Sequence, residues 1–92
     1  MPVGRAQRRA QRVDRVAAIF DETATSRALD LLELTELAWH DCYGEITPSE
    51  DVIDDILTVS GGRLDMLIQA ARLAVTDWRD LKVPADAVRS KP

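Results

Sequence analysis

The sequence predicts an all-α protein, a small bundle of three to four amphipathic helices with a basic N-terminal helix or arm. Three observations carry this. Apolar residues recur at helical steps through most of the chain, and strict alternation never runs long enough for a strand. Thr47-Pro48-Ser49-Glu50 has the form of a capping box, with a hydroxyl at N-cap, proline at the first helical position and glutamate at the third. Glycine stands where helices are expected to stop, at Gly44 and at Gly61-Gly62.

In chain order, residues 5–20 place Ala6, Ala10, Val13, Ala17 and Phe20 on one stripe, with Arg5, Arg8, Arg12 and Arg15 beside or opposite it. Before Val13 the stripe is alanine, so burial stabilises the first turns little and the segment reads as a helix or an arm. Residues 21–26 are a polar break from which Thr25 or Ser26 caps a second helix running to about Tyr43, with Gly44 following it. Its apolar arc is Ala28, Leu31, Leu32, Thr35, Ala38, Trp39, Cys42 and Tyr43; Glu33, Glu36 and His40 face away.

The third helix follows the capping box, with Val52, Ile53, Ile56, Leu57 and Val59 toward the core and Asp51, Asp54 and Asp55 toward solvent. Gly61-Gly62 ends it, and so short a connection makes the next helix antiparallel. That fourth helix runs over about 63–81 on a stripe of Leu64, Leu67, Ile68, Ala71, Ala74, Val75 and Trp78, and Pro84 ends the region. The expected organisation is a basic segment over 1–22, an antiparallel helical core over 23–83 and a short tail over 84–92.

Composition sets the class. A chain of 92 residues, 46% apolar and 30% charged, is one soluble globular domain. It buries about 64% of its unfolded surface by area scaling, enough for one modest core. The longest unbroken apolar run, Val16 to Phe20, is far short of a membrane span, so no membrane is expected. A single cysteine makes no internal disulfide and the start lacks a secretory pattern, which together give a cytoplasmic expectation.

Charge is strongly partitioned beneath an acidic net of −4. Arg5, Arg8, Arg9, Arg12 and Arg15 stand against Asp14 alone at the start, whereas residues 21–60 hold eleven acids against Arg27. A basic segment on an acidic body either reaches out to a polyanion or folds back on its own carboxylates.

Chemistry-bearing residues do not assemble into a catalytic set. In Trp39-His40-Asp41-Cys42-Tyr43, helical phase sends His40 to the polar face and Cys42 to the apolar arc, which denies a Cys–His pair its contact. Glu33, Glu36 and His40 share a face, but with one histidine and one cysteine in the chain they read as a solvated surface and not a metal centre. Gly61-Gly62 lacks the strand before it and the Lys-Ser/Thr after it that a phosphate loop needs. A helix-turn-helix reading would bring Asp51, Asp54 and Asp55 against phosphates. No enzyme, metal or cofactor is therefore expected.

A surplus of apolar side chains points elsewhere. Leu34 and Leu37 border the arc of the second helix, and Met66 and Leu73 form a second stripe on the fourth. Left uncovered, such residues mark a partner surface. The expected function is a small non-enzymatic protein-interaction module, self-associating as a homodimer or serving as an accessory subunit of another protein. The alternative is a regulatory protein that binds nucleic acid without sequence preference through Arg5, Arg8, Arg9, Arg12 and Arg15.

Overall fold

Short connections fix the path of the chain. The computed structural model describes residues 4–91, and among them there are four helices and no strand. These are α1 (Arg5–Ile19), α2 (Glu22–Tyr43), α3 (Glu50–Ser60) and α4 (Leu64–Arg89). Only Phe20 and Asp21 join α1 to α2, so the two form an antiparallel hairpin. The basic N-terminal segment is thus a helix from Arg5 onward.

Caps shift two of the expected boundaries. Asp21, not Thr25 or Ser26, caps α2, its Oδ1 accepting from the Ala24 amide at 2.7 Å. The polar break is therefore the first turn of α2, where the Thr25 hydroxyl donates back to the Asp21 carbonyl at 2.8 Å. Ser49, not Thr47, caps α3, its Oγ accepting from the Val52 amide. Thr47 is drawn away because its hydroxyl donates to the buried Glu36 carboxylate at 2.7 Å, a stronger claim than a cap. Gly44 closes α2 and Gly61 closes α3, both in the left-handed region.

α3, packed chiefly against α4, carries the densest set of buried residues. Ile53 and Ile56 are fully buried and Val52, Leu57 and Ser60 nearly so. α4 departs from expectation by running through Pro84 to Arg89. At Asp77 the backbone is extended (φ −160°, ψ 103°), which breaks the helix in two. Asp77 then caps the second stretch, its carboxylate accepting from the Arg79 amide at 3.1 Å. Beyond the bend Trp78 lies near Ser49 and Val52 at the start of α3, while Arg89 reaches Asp55 and Thr58 further along it.

Proline inside a helix costs about 3 kcal/mol. Here the fully buried Leu81 and Ala85 on either side of Pro84 offset that cost by pinning the stretch to the core. Asp55, expected on the solvent face, is buried against α4 and held by Arg89 Nη1 at 2.7 Å.

The turn between α3 and α4 also meets α1. Gly62 has φ +81°, and a Cβ there would stand 2.3 Å from the Ile19 carbonyl oxygen at the end of α1. Gly61, at φ +58°, faces open space. Gly61→Ala is expected to cost about 1–2 kcal/mol from the left-handed backbone alone. Gly62→Ala is expected to cost clearly more, because backbone must move as well. Urea unfolding of the two variants checks this, and equal midpoints would contradict the close approach.

Candidate interaction surface

α1 docks on its arginine face. Arg12 is 2% exposed and Val16 and Phe20 are buried with it, at four-residue steps. The alanine stripe expected to pack, Ala6, Ala10 and Ala17, is exposed, and Val13 largely so. The reason is the opposing surface. Arg12 donates to Glu36 at 3.1 Å, to Glu50 at 3.0 Å and to the Thr47 hydroxyl at 3.2 Å. Arg8 forks onto the same Glu36 carboxylate, and Arg15 bridges Glu50 and Asp54. Arg9 pairs with Asp30 at 2.8 Å and Glu33 at 3.2 Å. Charge-assisted, bidentate arginine contacts of this kind outweigh the small gain from burying alanine methyls.

Glu36 corrects the sequence reading most sharply. Expected on a solvated face with His40, it is 3% exposed and takes its partners from α1 and the α2–α3 loop. Burial alone would push its carboxyl up. The Arg8 hydrogen bond, the Thr47 hydroxyl and the Arg12 charge overcome burial and hold it below its ordinary value of 4.5. Burial likewise opposes, and Arg12 and Arg15 outweigh it, at Glu50, which is also lowered. Four of the five N-terminal arginines are thereby turned onto the protein's own acids. Arg5 is exposed and makes no ion pair among the described residues.

The four apolar candidates do not form one patch. Leu34 is 60% exposed and lines an open groove between α2 and α4 with Leu31, Ala38, Ile68, Ala71 and Val75. Leu37, 48% exposed, lies to the other side, near Ile46 and His40. Leu73 packs half-buried against the core, and Met66 is half-buried. Ile68, expected in the core, replaces them as the α4 contribution to the exposed face. α4 buries the expected Leu67 and Ala74 together with Ala70, which turns Ile68, Ala71 and Val75 outward. Alanines that allow close helix approach are the signal for that narrower stripe. Arg72 borders the groove and makes no ion pair within the described residues.

The remaining reactive groups are dispersed. Cys42, expected in the core beside Trp39, is an exposed free thiol, whereas Trp39 is buried as expected. His40 Nδ1 lies 3.3 Å from the Glu45 carbonyl oxygen and does not meet Glu36. Among the described residues no three His, Cys, Asp or Glu side chains are grouped to hold a metal ion, and no helix is long and apolar enough to cross a membrane. No family model, no curated protein and no solved structure matches the chain.

Acid should loosen α1. A carboxyl whose folded pKa lies below its unfolded value adds stability that is present above that value and lost as pH falls through the folded pKa. For Glu36 and Glu50, ordinary value 4.5, the loss therefore sets in as pH drops below about 5. Thermal unfolding followed by circular dichroism between pH 7 and pH 3 is expected to show this. Glu36→Gln should be less stable at pH 7, by about 3–5 kcal/mol for a broken buried pair. It should also show a shallower fall with acid, and parallel curves for the two proteins would contradict the assignment.

Proposed function

We propose that the protein is a non-enzymatic interaction module whose partner is a second copy of itself, docked through the outer face of α2. One observation carries the reading. Arg27, Leu34 and Asp41 lie at seven-residue steps on α2, so they share one stripe, and all three are exposed. Neither Arg27 nor Asp41 has an ion-pair partner among the described residues. Two copies of α2 crossing antiparallel at Leu34 would bring each Arg27 to the partner's Asp41, with leucine packed on leucine at the two-fold axis.

Such a patch is self-complementary, as an isologous dimer requires. Leu31 and Ala38 flank Leu34, and Ile68, Ala71 and Val75 of α4 widen the apolar centre. Arg72 adds a charged rim around it, the usual anatomy of an interface. The internal pairing of Arg8, Arg9, Arg12 and Arg15 is why the reading rests on this face and not on a polyanion at the N-terminal arginines. An exposed free thiol at Cys42 suits a reducing compartment, in keeping with a cytoplasmic setting.

Sedimentation equilibrium over a range of protein concentrations tests the proposal. A concentration-dependent dimer is expected, weakened more than about tenfold by Leu34→Glu, which places a carboxylate at the centre. Arg27→Asp and Asp41→Arg should each weaken it, and the double reversal should restore it, because the pair is merely exchanged. A monomer at every concentration, or a double reversal no better than either single one, would overturn it.

A further inference from the structure

Three of the four aromatic side chains, Trp39, Tyr43 and Trp78, lie close together where α2 meets α4, with Trp39 itself part of the core. Trp39 is 3% exposed and its ring centroid lies 4.3 Å from that of Tyr43. The Tyr43 hydroxyl donates to the Ala74 carbonyl at 2.9 Å, just ahead of the bend at Asp77. That bend sets Trp78, 38% exposed, across a cavity of about 330 Å³ from Trp39. Glu45, Thr47, Ser49 and Val52 complete the wall.

The polar groups of this wall are arranged to refuse anions and neutral hydrogen-bonding ligands. Glu45 Oε1 accepts from the Trp39 indole N–H at 3.1 Å, which leaves the other carboxylate oxygen without a partner among the described residues. The Thr47 hydroxyl is spent on Glu36 and Arg12, and Ser49 Oγ caps α3. No Lys, Arg or His lines the cavity, whereas four other surface cavities each include at least one arginine. The part-exposed Trp78 ring, the buried Trp39 indole behind the opposite wall, one carboxylate and no basic group define an environment for a weakly hydrated cation held by an aromatic ring and charge, not by hydrogen bonds.

We propose that the cavity formed by Trp39, Glu45 and Trp78 binds a quaternary ammonium group. The group carries no N–H, so it loses little by leaving water for a site whose acceptors are mostly committed. Its diffuse charge meets the Trp78 ring and the Glu45 carboxylate together, against the wall that Trp39 completes. The same chemistry arises in a free trimethylammonium compound and in a trimethylated lysine side chain.

The indole N–H resonances of the full chain, titrated with choline chloride at constant ionic strength, test the proposal. Choline should move the Trp39 and Trp78 signals saturably, and ethanolamine, which keeps a hydrated ammonium, should bind at least about tenfold more weakly. Trp78→Ala, with folding checked by circular dichroism, should abolish the Trp39 response. Glu45→Gln, which keeps the hydrogen bond to Trp39 but removes the charge, should weaken binding while leaving both indole signals in place. A short peptide with one trimethyllysine, run alongside, separates the two sources: tighter binding of the peptide assigns a modified tail, tighter binding of choline a free ion. Absence of a saturable shift from either probe, ethanolamine binding as tightly as choline, or unaltered binding by Glu45→Gln would overturn the proposal.

Discussion

The buried pair between Arg12 and Glu36 is the constraint on which the rest of the molecule depends. Both side chains are almost wholly withdrawn from water, and each has two further partners, Glu50 and Thr47 for Arg12, Arg8 and Thr47 for Glu36. A buried charge left alone costs several kcal/mol, a large share of the 5–15 kcal/mol by which small domains are stable. The orientation of α1, the displacement of Thr47 from its cap and the position of the α2–α3 loop all follow from keeping that pair complete. Beneath it Val16 and Phe20 supply the apolar contact that holds the helix close enough for the ion pairs to form.

A second consequence concerns where charge and apolar surface are left over. Because α1 consumes the acids Asp30, Glu33, Glu36, Glu50 and Asp54, five of the eleven in residues 21–60, the strongly acidic middle of the chain is partly neutralised internally. Arg89 does the same for Asp55 on the other side of α3. Among the described residues, the charged side chains of α2 left without an ion pair are Glu22 at its start and Arg27 and Asp41, which flank an exposed leucine. The uneven charge distribution is thus first a device for closing the bundle, and only its remainder is available to a partner.

Much of the architecture is legible in the residues. The four helical segments, the glycine stops and the antiparallel turn at Gly61-Gly62 follow from periodicity and capping chemistry. The face of α1 does not. Alanine, valine and arginine all occur at helical spacing there, and which set turns inward depends on the carboxylates that α2 and α3 present, a tertiary fact. The same limit hid Glu36 and Asp55, whose burial is tolerable only because arginines distant in sequence arrive to pair them. Pro84 misleads for a related reason: a helix already broken at Asp77 restarts in time to include it, and the buried Leu81 and Ala85 hold it there. Leu34 and Leu37 are exposed as expected, but helical phase alone does not reveal that they open onto different sides, nor that Ile68 takes the place of Met66 and Leu73.

The inward orientation of α1 is open to a direct energetic measurement, a double-mutant cycle on Arg12 and Glu36 followed by urea unfolding at pH 7. Arg12→Met leaves the buried Glu36 with Arg8 and Thr47 only, and Glu36→Leu leaves the buried Arg12 with Glu50 and Thr47 only, whereas the double variant removes both buried charges. The account predicts single losses of about 3–5 kcal/mol and a double loss well below their sum, a coupling of about 2 kcal/mol or more. Additive losses with a coupling near zero would contradict it, and α1 would then have to be held by its alanine face after all.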